Sequence, residues 1–275
     1  MRSTAVSKAL GYLALLLMGV VIGLPLYWML SGALKTTQQI VTFPPVWFPP
    51  SPRWQNFADA WTSAPFGNFY VNSIVTTAAA SLAKLVNAVL CAYALAFLRF
   101  PGRDLVFLVI LAALMIPVQV TILPNYLTMA DLGWVNTYQG IVVPEAGIAF
   151  GAFLLRQHFM TLPREVLDAA KVDGAGHLRT MWSVALPLSR PILATLTLLT
   201  AVGRWNDFLW PLIITSTKEM RTLPIGIAWM FDTEGNTQWG VVMAGVVMVI
   251  VPVFVLFLWT QKHLVEGIAA GAVKG

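Results

Sequence analysis

Long stretches of this chain carry almost no charge. Windows 9–34, 60–84 (up to but not including Lys84), 105–130 and 235–261 carry no charge. Each is long enough for the roughly 20 residues that a helix needs to cross the bilayer core. Two further windows, 138–159 and 191–215, are equally apolar apart from Glu145 and Arg156 in one and Arg204 and Asp207 in the other. Pro65 and Gly67 suit a loop, so the second span is predicted to start near Phe69 and to run through Lys84 to Leu98. The pattern predicts an all-α, polytopic membrane protein with six transmembrane helices in one domain, 1–275. The first window resembles a signal peptide, with Arg2 and Lys8 ahead of it and Ser31-Gly32-Ala33 at its end. Its apolar run is about twice the usual length and contains Pro25, which favours a retained helix.

Composition supports that reading. Hydrophobic residues make up 58% of the 275 and charged residues 11%, less than half of the roughly 25% usual in soluble domains. Mean hydropathy is +0.75. So little charge cannot cover a globular surface in water, which argues against a soluble enzyme, a disordered regulator or a nucleic-acid binder. The net charge of +5 gains meaning from where the basic residues sit. With the N-terminus inside, eleven of the 17 Lys and Arg fall in inside segments, four in outside loops and two within spans. That asymmetry favours both termini inside. The outside segment 35–66 holds six prolines and is expected to cross the outer surface as extended chain, with Trp47, Trp54 and Trp61 at headgroup level.

The longest inside segment, 156–190, is the most charged part of the protein, and its part 161–190 is the candidate coupling loop. Pro163 and Glu165 suit a first helical turn, and Val166, Leu167, Ala169 and Ala170 follow at helical spacing. Asp173-Gly174 stops that helix. A second short helix is expected from about Gly176 to Val184, ended by Leu186-Pro187. From the residues alone, this helix–bend–helix is either a partner-docking element or an amphipathic element resting on lipid.

Asp168-Ala169-Ala170-Lys171-Val172-Asp173-Gly174-Ala175, followed by Leu186-Pro187, resembles the EAA loop of ATP-binding-cassette importer permeases. Asp168 stands where that pattern usually has glutamate, which keeps the charge and shortens the arm. Arg99-Phe-Pro-Gly-Arg103, Trp205-Asn-Asp-Phe-Leu-Trp-Pro211 and the tail Gly271-Ala-Val-Lys-Gly275 are similar to the carbohydrate-uptake class, in its maltose-type second-permease branch. The whole chain looks most like glycerol-3-phosphate-type members. The resemblance implies a non-catalytic permease subunit moving a sugar or glycerol-3-phosphate-like solute by alternating access. It implies a heterodimer with a second permease, two cytoplasmic ATP-binding subunits and an extracytoplasmic solute-binding protein. Asp168, Ala169, Ala170, Asp173, Gly174 and Ala175 would couple to the ATPases, and the tail would also reach them. ATP and Mg would sit on those partners. In keeping with this, the chain has no G-x-x-x-x-G-K-[S/T] and no Gly-Lys dipeptide.

Ionisable residues inside a span cost about 2.5–3.5 kcal/mol each at the centre and are functional suspects. Lys84 lies about 15 residues into its helix, or roughly 22 Å at 1.5 Å per residue. Arg204 and Asp207, three apart, share a helix face and can neutralise one another. Lys84 has Glu145 as a candidate partner. Lys84, Arg204 and Asp207 are the candidate lining of a translocation path, with Lys84 a fixed cation for an anionic solute. Pro117, Pro124 and Pro252 are candidate kinks. The three histidines form no H-E-x-x-H, there is no G-x-S-x-G, and Cys91 reads as a small packing residue. A metal site or a membrane-embedded enzyme finds no support. The alternative of another class is an ion- or proton-coupled secondary carrier, for which Glu145 and Asp207 are the intramembrane carboxylates.

Overall fold

A computed structural model describes residues 5–147, 149–231 and 237–272. Residues 273–275 of the tail motif lie outside that set. Among the described residues the chain is helical, with no strand. The helices are α1 (Ala5–Gly32), α2 (Thr37–Val41), α3 (Gln55–Thr62), α4 (Phe66–Phe97), α5 (Arg103–Ala113) and α6 (Val118–Asp131). They continue with α7 (Tyr138–Val142), extended by a 3-10 turn at Val143–Glu145, then α8 (Ala149–Phe159), α9 (Arg164–Val172) and α10 (His177–Leu188). The last are α11 (Arg190–Trp205), α12 (Leu209–Ile214), α13 (Leu223–Ala228) and α14 (Trp239–Ala272). Lys8–Gly32, α4 and Trp239–Gln261 are each long and apolar enough to cross a membrane. Three bent pairs, α5 with α6, α7 with α8 and α10 with α11, raise the number to six if each pair is one span.

The described residues gather into two compact units, one drawn from residues up to Gly67 with Gly226–Val251, the other from Asn68–Ile225 with residues from Pro252 on. In the first unit the segment 35–66 departs from the extended chain expected of it. Its prolines cluster at 44–52, and helix forms on either side. Thr36 caps α2 by accepting from the Gln39 backbone, and the Gln39 side chain accepts from the Thr36 backbone in return. This capping box starts a helix wherever no proline blocks it. The Lys35 side chain is fully buried. Its Nζ donates to Ser31 Oγ at 3.0 Å and to the Trp47 carbonyl at 3.1 Å, and it lies 4.5 Å from the centre of the Trp28 ring. These contacts hold the proline-rich stretch against the end of α1. Asn56 Nδ2 donates to the carbonyls of Ala33 and Lys35. A Cβ on Gly240 would collide with the Lys35 carbonyl and would meet Asn56 Nδ2 at 2.7 Å. Gly240→Ala is therefore expected to cost about 1–3 kcal/mol as an overpacked site. A lowered thermal midpoint of the purified protein checks it.

In the second unit, α4 begins at Phe66 instead of Phe69. Pro65 directly precedes it, a place where the missing N–H costs nothing. Ala88, Val89, Ala92 and Tyr93 of α4 form a buried cluster with Leu155, Phe159, Leu162, Leu167, Met181, Ala185 and Leu196. The third span is not straight: α5 and α6 meet at 99°. The first half ends at Ala113, and Pro117, extended at ψ 131°, caps the start of α6, while Pro124 stays inside α6. A proline disfavours helix for the residue before it and removes a donor, so the chain turns there. Arg156 is buried on the face of Phe107, its guanidinium carbon 3.9 Å from the ring centre, and ties α8 to α5. The second loop helix also runs further than expected. A widened π turn at Met181–Ala185 precedes Pro187, and α10 continues to Leu188. Such a turn is a known way to accommodate a break in the helical ladder.

Candidate functional site

The predicted coupling residues lie together on α9 and the turn that follows. After Val172, Asp173 caps the helix and Gly174 takes φ +74°. Gly174 N donates to the Lys171 carbonyl at 3.0 Å and Ala175 N to the Ala170 carbonyl at 2.9 Å. This pair of bonds is a Schellman stop, and the left-handed residue at its centre favours glycine. Leu167 is buried in the cluster of Tyr93, Phe159 and Met181. Burying one leucine stabilises the loop by about 1.5–3 kcal/mol. Ala170 and Ala175 are half-buried. Asp168, Ala169, Asp173 and Gly174 are exposed, as are Val172, Leu178 and Trp182. Asp168 accepts from Lys171 Nζ at 2.8 Å, and this bond holds its carboxyl below the usual carboxylate range. A cavity of about 350 Å³ lies beneath the loop, lined by Tyr93, Phe97, Leu167, Lys171, Ala175 and His177.

The three candidate path residues also come together, through a fourth. Glu145 Oε2 lies 3.3 Å from Lys84 Nζ and 2.8 Å from one amino group of Arg204. The other amino group of Arg204 lies 2.7 Å from Asp207 Oδ2. Two cations and two carboxylates thus form a chain of zero net charge. Arg204 is the most enclosed, its side chain 8% exposed. The sequence had offered Glu145 as a partner for Lys84 and as a carboxylate of the carrier alternative, not as lining of the path, yet it joins the group. A readable signal was a carboxylate directly after a proline at an interruption of an apolar run. Three of the four charges sit at helix breaks, while Lys84 lies within α4. Glu145 ends the 3-10 turn after α7, with Ala146 and Gly147 outside any helix. Arg204 is in the last turn of α11, where a cation suits the negative end of the helix dipole. Asp207 lies in the break before α12. Asn87 Nδ2 donates to the Ala146 carbonyl at 2.9 Å and holds the first break against α4.

The two groups are linked by continuous helix. On α4, Tyr93 stands nine residues after Lys84, and on α11 Leu196 stands eight before Arg204. These separations are roughly 12–14 Å at 1.5 Å per residue. The cluster that receives Leu167 is therefore built from the same helices that carry the charges. Among the described residues no three His, Cys, Asp or Glu side chains gather in a way that could hold a metal ion.

Residues 85–269 match the family of binding-protein-dependent transport system inner membrane components. The sn-glycerol-3-phosphate transport system permease protein UgpE of Yersinia pestis bv. Antiqua is 39% identical over 262 residues, covering 92% of this chain and 93% of that protein. The protein of the same name in Brucella suis biovar 1 is 33% identical over 275 residues, with 96% of each covered. Among solved structures, a chain from a bacterial ABC transporter involved in import of the acidic polysaccharide alginate superposes with a TM-score of 0.84 at 26% identity, over 96% of this chain and 98% of that one. A chain from a bacterial alginate ABC transporter in complex with an alginate pentasaccharide-bound periplasmic protein gives a TM-score of 0.65 at 14% identity over 94% of each, a likeness of fold alone.

Proposed function

Because the chain belongs to the family of binding-protein-dependent transport system inner membrane components, we propose that it is one permease of an ATP-driven importer for sn-glycerol-3-phosphate or a related solute. The whole chain forms one permease domain of six spans, in a bacterial inner membrane, with both termini in the cytoplasm. A second permease completes the path. Two ATP-binding subunits hold ATP and Mg, and an extracytoplasmic binding protein delivers the solute. The ion-coupled carrier is not favoured, since the relatives are permeases of binding-protein-dependent systems.

The observation that carries this reading is the outward face of α9. Its alanine and carboxylates are exposed, while Leu167 and the Schellman stop fasten the helix to the cluster beneath. When the ATPases close, they push a short rigid element and not a floppy loop. The push enters α4 and α11 and reaches Lys84 and Arg204, where the helix breaks allow the path to open alternately to each side. Co-purification and vesicle uptake test the assignment. Stable association with an ATPase and nucleotide-dependent accumulation support it. Accumulation by the isolated chain without a nucleotide-hydrolysing companion overturns it.

The solute's phosphate would meet Lys84, an ammonium held within the bilayer by Glu145. A charge-assisted contact of this kind contributes about 1.5–3 kcal/mol. Lys84→Met is expected to lower uptake of sn-glycerol-3-phosphate at least tenfold in vesicles containing the assembled importer. Unchanged uptake removes Lys84 from the path.

A further inference from the structure

The geometry points to a role for Glu145 that the path residues alone do not supply. Lys84 Nζ and an Arg204 amino group converge on one and the same oxygen, Glu145 Oε2, at 3.3 and 2.8 Å. We propose that Lys84 and Arg204 form a two-cation seat for the anionic group of the solute, and that Glu145 is a resident carboxylate which fills the seat until the solute displaces it. This rests on the import reading above and deepens it.

Two features distinguish Glu145 from the other carboxylate. Asp207 is held from within its own chain segment, three residues from Arg204, and moves with it. Glu145 reaches Lys84 across 61 residues of sequence and is held only between separate helices. It stands on a three-residue 3-10 turn, with non-helical Ala146 and Gly147 behind it. Short 3-10 stretches within a span are places where small torsional changes move a side chain far. Its side chain is 19% exposed, close to the 20% of Asp207, so it has a way out, whereas Arg204 is almost enclosed. A phosphate monoester carries about −1.5 to −2 charges near neutral pH and three acceptor oxygens, against one charge and two oxygens for the carboxylate. It can meet the Arg204 amino group that Glu145 vacates and the point charge of Lys84 at once. With Glu145 withdrawn and Asp207 still on Arg204, the remaining group carries one net positive charge, which a monoester offsets. The resident carboxylate keeps Lys84 from losing its carboxylate partner in the bilayer between transport cycles, a state that costs several kcal/mol.

The test uses the assembled importer in detergent without its binding protein, with inorganic phosphate as the probe and binding read by calorimetry. Wild type is expected to bind phosphate weakly. Glu145→Gln empties the seat while keeping its shape, and is expected to bind phosphate at least tenfold more tightly. Adding Lys84→Met to Glu145→Gln is expected to return the affinity to the wild-type level or below. Equal affinity in wild type and Glu145→Gln overturns the proposal, as does tightening that survives Lys84→Met. If Glu145→Gln does not assemble, Glu145→Asp is read instead, because the shorter arm cannot satisfy both cations. At least threefold tightening supports the seat, and none overturns it. Tightening for short-chain phosphatidylglycerol but not for inorganic phosphate assigns the seat to lipid and also overturns it. Nucleotide-dependent uptake by the wild-type complex reports on the import reading separately, so the two can fail independently.

Discussion

Ala169→Asp is expected to leave the permease inserted and folded while solute uptake falls about a hundredfold or more and ATP hydrolysis no longer follows transport. Ala169 is exposed on α9, so in the isolated chain a carboxylate there faces water at little cost. Once an ATPase surface closes over it, the same carboxylate is buried without a partner beside Asp168 and Asp173. An uncompensated buried charge costs about 3–5 kcal/mol, and each 1.4 kcal/mol is a factor of ten. Ala169→Ser, small and neutral, is expected to transport nearly as wild type. The measurement is uptake and hydrolysis on the same vesicles, and wild-type uptake by Ala169→Asp would remove the docking assignment. Gly174→Asp, at the other end of the same motif, is a poorer probe. Gly174 sits at φ +74°, so a side chain there strains the stop itself by roughly 1 kcal/mol before any partner is met.

The largest loss of stability is expected from Arg204→Met. Arg204 is the one residue that contacts both carboxylates, at 2.8 and 2.7 Å. Removing it leaves Glu145 and Asp207 with a single cation between them. Breaking a buried pair costs about 3–5 kcal/mol, which lowers the thermal midpoint by on the order of 10 °C for a chain of this size. Adding Asp207→Asn removes the orphaned charge and is expected to recover a good part of the loss. That recovery is the double-mutant signature of a real coupling and not of a local packing defect. An unaltered midpoint in Arg204→Met would show that the four charges do not hold the helix breaks together.

Several local features were readable because their causes are local. Asp173-Gly174 announced a helix stop, and the structure forms it with the glycine in the left-handed conformation. Thr36 and Gln39 carried an equally plain capping signal, and α2 obeys it despite the prolines that follow. Pro117 and Pro124 looked alike, yet only the first stands at a break, where it caps α6. Which proline breaks a span depends on what the neighbouring turns pack against, and a single sequence does not carry that. The same holds for α10, where a π turn carries the chain past Leu186-Pro187.

By itself the sequence determined that the chain is helical and built to lie in a membrane, where its charged residues would be conspicuous, and which loop resembles a coupling element. These follow from hydropathy, proline, glycine and spacing, which act within a few turns of helix. Only the tertiary structure decided that Lys84, Glu145, Arg204 and Asp207 are one group, and that the helices carrying two of them also floor the α9 loop. The Coulomb energy of an ion pair falls with the distance between its charges. That distance is set by how separate helices pack, and no single helix encodes it.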